Sequence, residues 1–174
     1  MGKHKISFGL SANEINRAIR ELNKYKQDFI RKTELLRERI AERIADEARS
    51  GFSGAIVDDL LKGTKPTAEV TVSVEAKDGV TVVIANGQDA IWVEFGAGVY
   101  HNGGAGSSPH PKGGELGMTI GSYGKGNGKK QTWGFRDEKG ELHLTHGTPA
   151  KMPLYNAVKI VCDEIETIAK EVFE

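Results

Sequence analysis

The side chains best suited to chemistry are the histidines, and four of the five lie in the second half of the chain. His143 and His146 are three residues apart on a predicted strand, a spacing that places them on opposite faces of it. His101 and His110 lie in a glycine-rich segment where the sequence fixes no carboxylate beside them. Because metal ligands must converge on one ion, we expect no metal site and interpret these histidines as surface or interface residues.

Covalent catalysis is not indicated either. Cys162 borders the apolar stripe of a predicted C-terminal helix, so we interpret it as a small core residue rather than a nucleophile. The glycines before Lys129 do not have the spacing of a nucleotide-binding loop, and local motifs show no Ser-His-Asp arrangement. The sequence therefore predicts no catalytic residue, no cofactor and no enzymatic activity. A metal-dependent hydrolase that uses the late histidines is the weaker alternative.

Residues 97–131 are predicted to form a long, flexible, glycine-rich loop. Twelve of the 22 glycines lie between Gly96 and Gly128, and ordering the backbone costs about 1–2 kcal/mol per residue. Since the segment offers few apolar side chains, we expect it to order only on contact with a partner. Its basic end, formed by Lys125, Lys129 and Lys130, could contact DNA phosphates without reading the base sequence. A nucleic-acid-binding module that uses these lysines is therefore an alternative function.

Composition narrows the class of protein. The 174 residues predict a single domain, 1–174. The 24 basic and 24 acidic residues give zero net charge, which argues against a general polyanion binder. One cysteine cannot form an intramolecular disulfide. No apolar run reaches the roughly 18 residues of a membrane span, and the first ten residues do not resemble a signal peptide. We expect a soluble intracellular protein without a membrane partner.

Two helices are predicted, one toward each end of the chain. A helical period runs through residues 12–50, behind the capping signal Ser11-Ala12-Asn13-Glu14. As one helix it would be about 58 Å long, more than a compact domain of this size measures, so it either bends into a helix pair or projects and needs a partner. Residues 153–173 carry an apolar stripe expected to face the core: Leu154, Val158, Val161, Ile165, Ile168 and Val172.

Strands are predicted between these helices. Alternating apolar residues indicate hairpins at 68–86 and 132–146, which we expect to form one antiparallel sheet. The apolar stretch Ile6–Leu10 is a candidate for an additional N-terminal strand of this sheet. Residues 89–95 fit a strand or a short helix, and we favour the helix. The apolar face of the first hairpin is predicted to combine residues of both strands: Val70, Val72, Val74, Val80, Val82 and Ile84. The predicted class is α+β, with both helices packed on the sheet.

Charge is distributed unevenly. Residues 1–50 hold 12 basic and 8 acidic side chains, a net of +4, whereas residues 153–174 hold 2 basic and 5 acidic ones, a net of −3. Opposite signs suit two helices that pack together, or a subunit whose poles attract neighbouring copies. Two solvated helix faces would explain the same distribution.

Two sequence blocks resemble a known family. The first block is Ala90-Ile91-Trp92-Val93-Glu94-Phe95-Gly96-Ala97-Gly98, and the second is Thr145-His146-Gly147-Thr148-Pro149-Ala150-Lys151-Met152-Pro153-Leu154-Tyr155-Asn156-Ala157, with Trp133 between them. In this order, and separated by a glycine-rich loop, they resemble the tail-completion or head–tail joining proteins of long-tailed bacteriophages, also described as minor tail components. Ala97 stands where the family usually has Thr, and Leu154-Tyr155 where it has Phe-Met or Phe-Leu.

The resemblance implies a structural virion protein of the phage neck or upper tail, assembled in the cytoplasm of the bacterial host. Such proteins generally form rings around the channel through which double-stranded DNA passes, and the family suggests six subunits. The implied partners are further copies, the connector or head-completion protein, the tail terminator, the tail tube, and the DNA itself, contacted without sequence specificity. No cofactor is implied.

The motif residues define the candidate site. Gly96 and Gly98 are expected to permit a tight exit from residues 89–95, while Pro149 and Pro153 fix the start of the last helix. We expect Glu94 to pair with a basic group of the loop or with a neighbouring copy. We expect the motif residues either to fix the local backbone geometry or to contact other subunits at the assembly interface. They are Trp92, Glu94, Phe95, Gly96, Gly98, Trp133, His146, Gly147, Pro149, Ala150, Pro153 and Asn156.

Overall fold

The predicted α+β class is confirmed by the computed structural model, which describes residues 6–56, 61, 67–96, 108–113, 115–116, 132–137 and 139–174. Its elements in chain order are α1 (Ala12–Phe52), β1 (Thr71–Lys77), β2 (Val80–Asn86), α2 (Ala90–Phe95), β3 (Trp133–Arg136), β4 (Leu142–Thr145) and α3 (Pro153–Phe173). The helix predicted for residues 89–95 is therefore present as α2. Residues 6–10 form no strand.

α1 is a single helix of 41 residues, roughly 60 Å long, so the helix-pair alternative is wrong. The predicted N-terminal cap forms. Ser11 Oγ accepts a hydrogen bond from the backbone N–H of Glu14 at 3.4 Å, and the Ser11 hydroxyl donates to the Glu14 carboxylate at 2.6 Å. The hydrogen bond from the Ser11 hydroxyl holds the pKa of Glu14 below its ordinary value.

α3 runs antiparallel to α1 along the C-terminal half of that helix. At one end, Gly51 touches Pro153: a β carbon on Gly51 would lie 2.8 Å from the Pro153 Cβ. Farther along, Arg43 donates to both carboxylate oxygens of Glu164, from Nε at 2.9 Å and from Nη2 at 3.1 Å. The hydrogen bonds between them raise the pKa of Arg43 and lower that of Glu164. Opposite charges on the two helices thus pair inside one chain.

α1 continues well beyond the end of α3. The penultimate residue of the chain, Phe173, contacts Phe29 with ring centroids 5.8 Å apart, so the helix residues before Phe29 extend about 25 Å past α3. Residues 19–31 are exposed at every position, whereas Ala18 is buried. We call residues 12–29 the arm, and the projecting alternative for α1 is the one that the structure shows.

The register of the β1–β2 hairpin places two valines of β2 on a different face of the sheet from the one that the sequence predicted. Asp78 and Gly79 form a two-residue turn with φ of 52° and 77°, the backbone of a tight hairpin. The turn sets Val72 opposite Ala85 and Val74 opposite Val83. Directly opposed residues share a face of a sheet, so Val80 and Val82 lie on the other face, and Val80 is 60% exposed. Their predicted place beside Val72 and Val74 is wrong.

In the described part of the chain, the two hairpins are separate two-stranded sheets, β1–β2 and β3–β4, rather than the single sheet that the sequence predicted. The buried core lies where α1, β1, β2, α2 and α3 meet, and it is small. The cluster of buried side chains at this point comprises Ala48, Phe52, Ala55, Val93 and Ala157. Three of these five are alanines, so backbones approach closely here and additional volume is poorly tolerated.

Within the described ranges, none of the helices combines the length and the apolarity that a membrane span requires.

The contact between Gly51 and Pro153 generates a prediction. Replacing a helical Gly with Ala ordinarily stabilises by about 1 kcal/mol, whereas Gly51→Ala forces a β carbon to 2.8 Å from a rigid proline ring. Overpacking costs about 1–3 kcal/mol, so we expect Gly51→Ala to lower the free energy of unfolding, measured by urea denaturation. Ser50→Ala, at the exposed preceding position, is the control and should leave stability nearly unchanged. A stabilised Gly51→Ala protein would show that α1 and α3 do not meet here.

Candidate functional site

Glu94 is the most unusual residue of the motif blocks, because it is a carboxylate in the interior. Only 4% of its surface is exposed, next to the fully buried Val93 on α2. An ionised carboxylate is held inside a protein only when hydrogen bonds or a charge partner replace the lost water. Its surroundings therefore decide what the site does.

Glu94 caps the N-terminus of α3. Its Oε2 accepts the backbone N–H of Leu154 at 2.8 Å, and its Oε1 accepts that of Tyr155 at 3.0 Å. The first N–H groups of a helix have no partner within the helix. The residue at the usual capping position, Met152, has left-handed backbone (φ 54°, ψ 50°) and makes no capping hydrogen bond with its side chain. Glu94 supplies the cap from α2, and its charge is favourable beside the positive end of the helix dipole.

His110 covers the other side of this carboxylate. The ring is 8% exposed, and its Nε2 lies 3.4 Å from Glu94 Oε1. Nδ1 accepts the backbone N–H of Lys112 at 3.0 Å, so the neutral ring carries its proton on Nε2, facing Glu94. The ring packs against Phe95 and Tyr155, at centroid distances of 4.3 and 5.3 Å. His110 thus joins the turn around it to both α2 and α3.

Residues 108–113 form a turn that presents His110. The Ser108 hydroxyl donates to the Phe95 carbonyl and accepts the backbone N–H of His110 at 3.2 Å. Gly113 fits closely, since a β carbon there would lie 2.7 Å from Ser108 Cβ. Part-buried hydrogen bonds and aromatic packing connect these six residues to α2 and α3 within one chain. That the loop orders only on contact with a partner stays a prediction.

The two motif blocks meet at the end of α2. The Lys151 N–H donates to the Val93 carbonyl at 2.8 Å. Gly96 ends the helix with φ 80° and ψ 161°, a conformation essentially restricted to glycine. A β carbon on Gly96 would lie 2.9 Å from the Ala150 nitrogen and 3.1 Å from the Thr148 carbonyl oxygen. Both the conformation and the close backbone contact require glycine, in agreement with the tight exit that the sequence predicted.

The structure brings together Glu94, Phe95, Gly96, Ala150 and Pro153, and Pro153 is the first residue of α3, as predicted. Around them, Asn156 Nδ2 donates to the Lys151 carbonyl at 3.0 Å. The other described motif residues lie outside this group. Trp92 is half-buried, whereas His146 and Pro149 are exposed, and Trp133 is the first residue of β3. Gly147 is buried, and its backbone N–H donates a hydrogen bond to Thr145 Oγ1. Gly98, His101, Lys125, Lys129 and Lys130 lie outside the described residues.

Sequence reasoning missed the role of His110, which was expected to have no fixed carboxylate neighbour. Of the two partners predicted for Glu94, the loop group is the one that the structure shows, and the N–H groups of α3 were not foreseen. The signal available was the charge of Glu94 between Val93 and Phe95. No periodic sequence pattern connects Glu94 to His110. Cys162, expected in the core, is exposed.

The arrangement around Glu94 is suited to holding a helix. Both carboxylate oxygens accept backbone N–H groups, and His110 is engaged through Nδ1 and packed on two rings. A substrate that used Glu94 as a base would have to break the cap of α3 first. The geometry therefore supports a structural role for the motif residues.

A second charged group lies at the β3–β4 turn, where Asp137, Glu141 and His143 bring one ligand atom each within 4.8 Å of one another. Asp137 Oδ1 accepts the N–H groups of Lys139 and Glu141 at 2.9 and 2.8 Å, and Oδ2 lies 3.2 Å from His143 Nε2. Partial burial raises the pKa of Asp137, but these hydrogen bonds together outweigh it and leave the pKa below its ordinary value. The contacts organise a hairpin turn.

No protein-family model matches the chain, and no curated protein or solved structure matches it either. Its function must therefore be argued from the site and the surfaces.

The cap predicts a large effect for Glu94→Gln. Glutamine has one acceptor oxygen, so its amide N–H groups would face a backbone N–H at the start of α3. Leaving buried donors unpaired and removing the charge should cost about 2–4 kcal/mol of stability. Thermal unfolding followed by circular dichroism measures this. Glu166→Gln makes the same exchange at an exposed position of α3 and should change the midpoint little. Equal midpoints for both variants would refute the capping role.

The glycine at the end of α2 generates another prediction. Gly96→Ala combines unfavourable backbone strain with contacts below 3.2 Å to two backbone atoms. Gly140 has nearly the same φ, 81°, and a β carbon added there would have no heavy atom within 4 Å, so Gly140→Ala measures the cost of a side chain at positive φ without the close contacts. We expect Gly96→Ala to cost about 1–3 kcal/mol more than Gly140→Ala in urea denaturation. Similar losses for the two would mean that the motif blocks do not touch.

Proposed function

We propose that this chain is a structural virion protein of the bacteriophage neck or upper tail. In this proposal it assembles as a homo-oligomeric ring that joins or completes the tail at the head–tail interface, around the DNA channel. The resemblance of the two motif blocks suggests the family. The observation that carries the proposal is the exposed apolar stripe of the arm.

The stripe consists of large apolar side chains on one face of the arm. Each is between 38% and 53% exposed: Ile15, Ile19, Leu22, Tyr25 and Phe29. Half-burying one such side chain is worth about 1 kcal/mol, so the stripe leaves roughly 5 kcal/mol of apolar burial unused in the single chain. Contiguous exposed apolar surface of this kind marks an interaction site. A protein that carries it in every copy is suited to assembly.

The capped site supports the same function. Glu94 and His110 join α2, α3 and the turn at 108–113, so the motif residues form a firm body behind the arm. A ring component needs such a body to hold its contact surfaces at fixed angles. We propose that the other faces of the ring meet the connector or head-completion protein, the tail terminator and the tail tube, with DNA passing through non-specifically.

The alternative functions, a nucleic-acid-binding module and a metal-dependent hydrolase, stay predictions. The lysines proposed to bind DNA, Lys125, Lys129 and Lys130, lie outside the described residues. The histidines proposed for a hydrolase do not converge: His110 packs on Glu94, whereas His143 lies in the β3–β4 hairpin.

Native mass spectrometry of the purified full chain tests the proposal. We expect a single closed oligomer at micromolar concentration, six copies if the family pattern holds, with no bound metal. Negative-stain electron microscopy should show annular particles rather than filaments, because copies joined by head-to-tail contacts have a fixed number only when the ring closes. A protein that remains monomeric throughout the micromolar range, or that forms a series of open oligomers, would contradict the proposed function.

A further inference from the structure

We propose that the arm of one copy docks on an exposed apolar flank of α3 in the next copy. The flank consists of Tyr155, Val158, Cys162 and Ile165. This inference rests on the proposed function, because it assumes that copies associate into a ring, and it names the two surfaces that form the contact.

The flank exists because the apolar surface of α3 is wider than its contact with α1. Val161 and Val172 are buried, as the stripe predicted, but Val158 and Ile165 are 45% and 46% exposed, and their predicted place in the core is wrong. Tyr155 and Cys162 are exposed on the same side. Steps of three, four and three residues place the four side chains on one face, the spacing of a helix–helix seam.

The arm carries a stripe with matching periodicity. Ile15, Leu22 and Phe29 recur every seven residues, and the same face continues through Leu36 and Ile44, which are half-buried in the body of the chain. In that half α1 pairs with an amphipathic helix, its own α3. The arm is an uninterrupted extension of this packing face, so the partner that fits it is another amphipathic helix with an exposed apolar seam.

Charge favours α3 of another copy as that helix. The arm, residues 12–29, holds four basic and three acidic side chains, a net of +1, whereas residues 153–174 hold two basic and five acidic ones, a net of −3. Within one chain, Arg43 and Arg39 of α1 pair with Glu164 and Glu171 of α3. On the proposed contact, Lys26 lies within the arm stripe, and Glu166, which pairs with Lys170 at 2.7 Å within one chain, borders the flank. Pairing two arms would instead place like net charges together.

The symmetry of the contact agrees with a ring. Arm and flank are different surfaces, so each copy offers one and uses the other, and such head-to-tail contacts generate rings when the rotation closes. An arm-to-arm contact uses one surface twice and stops at a dimer.

Disulfide trapping tests the contact, because Cys162 is the only cysteine of the chain and lies on the flank. Cysteine is placed in turn at three arm positions, Ile15→Cys, Ile19→Cys and Leu22→Cys, and each full-length protein is oxidised and analysed on non-reducing gels. We expect at least one to form a ladder of covalent oligomers longer than a dimer, through bonds from the arm to Cys162 of the next copy. Gln27→Cys, off the stripe, is the matched control and should form no ladder.

Two results would overturn the docking. The first is the absence of a ladder at all three positions. The second is trapping that survives as dimers when Cys162→Ser is added, since that outcome shows arm-to-arm pairing.

A second measurement does not depend on disulfide geometry. In native mass spectrometry, Leu22→Glu should shift the ring toward monomer at least tenfold more than Gln27→Glu, which adds the same charge off the stripe. If the wild-type chain forms rings that Leu22→Glu leaves intact, the docking is wrong and the proposed function stands. If the wild-type chain forms no ring, the proposed function itself fails.

Discussion

The interaction on which the fold depends is the contact of one buried carboxylate with the start of α3. Removing a carboxylate from water costs several kcal/mol, and here two backbone N–H groups and the facing edge of His110 compensate for that loss. Those N–H groups have no partner of their own, because Met152 contributes no side-chain cap. Glu94 and the helix start therefore require each other. The consequence is that α2, α3 and the turn at 108–113 can only adopt this geometry together.

The position of the cap also determines which part of α1 lies beyond α3. With α3 beginning beside Gly51 and running antiparallel to α1, its 21 residues reach only as far as Phe29, whereas α1 has 41 residues. The β1–β2 hairpin does not extend the cover, because its turn at Gly79 already meets α1 at Arg37. The extension of the arm beyond α3 is thus a result of unequal helix lengths and a fixed starting point, rather than of any peculiarity in the arm itself.

Local patterns in the sequence predicted those features of the fold that depend on residues close together in the chain. The cap at Ser11, the bounds of α3, the short helix at α2 and the need for glycine at position 96 all follow from periodicity or backbone conformation. Tertiary contacts were not accessible in the same way. The face of the sheet on which Val80 lies depends on a two-residue turn that sets the register of the hairpin. The contact between Glu94 and His110 joins residues sixteen positions apart, and no repeating sequence pattern relates them.

The errors in the predicted core are informative about function. A helical period shows which side chains share a face, but it does not show how wide the covering element is. Val158 and Ile165 belong to the stripe of α3 and still remain exposed, and the arm repeats the same situation on α1. In both helices the periodic pattern is broader or longer than the intramolecular contact that uses it. Large exposed apolar surfaces disfavour a soluble monomer. In the proposed docking, the surplus on the arm and the surplus on α3 would cover each other in neighbouring copies.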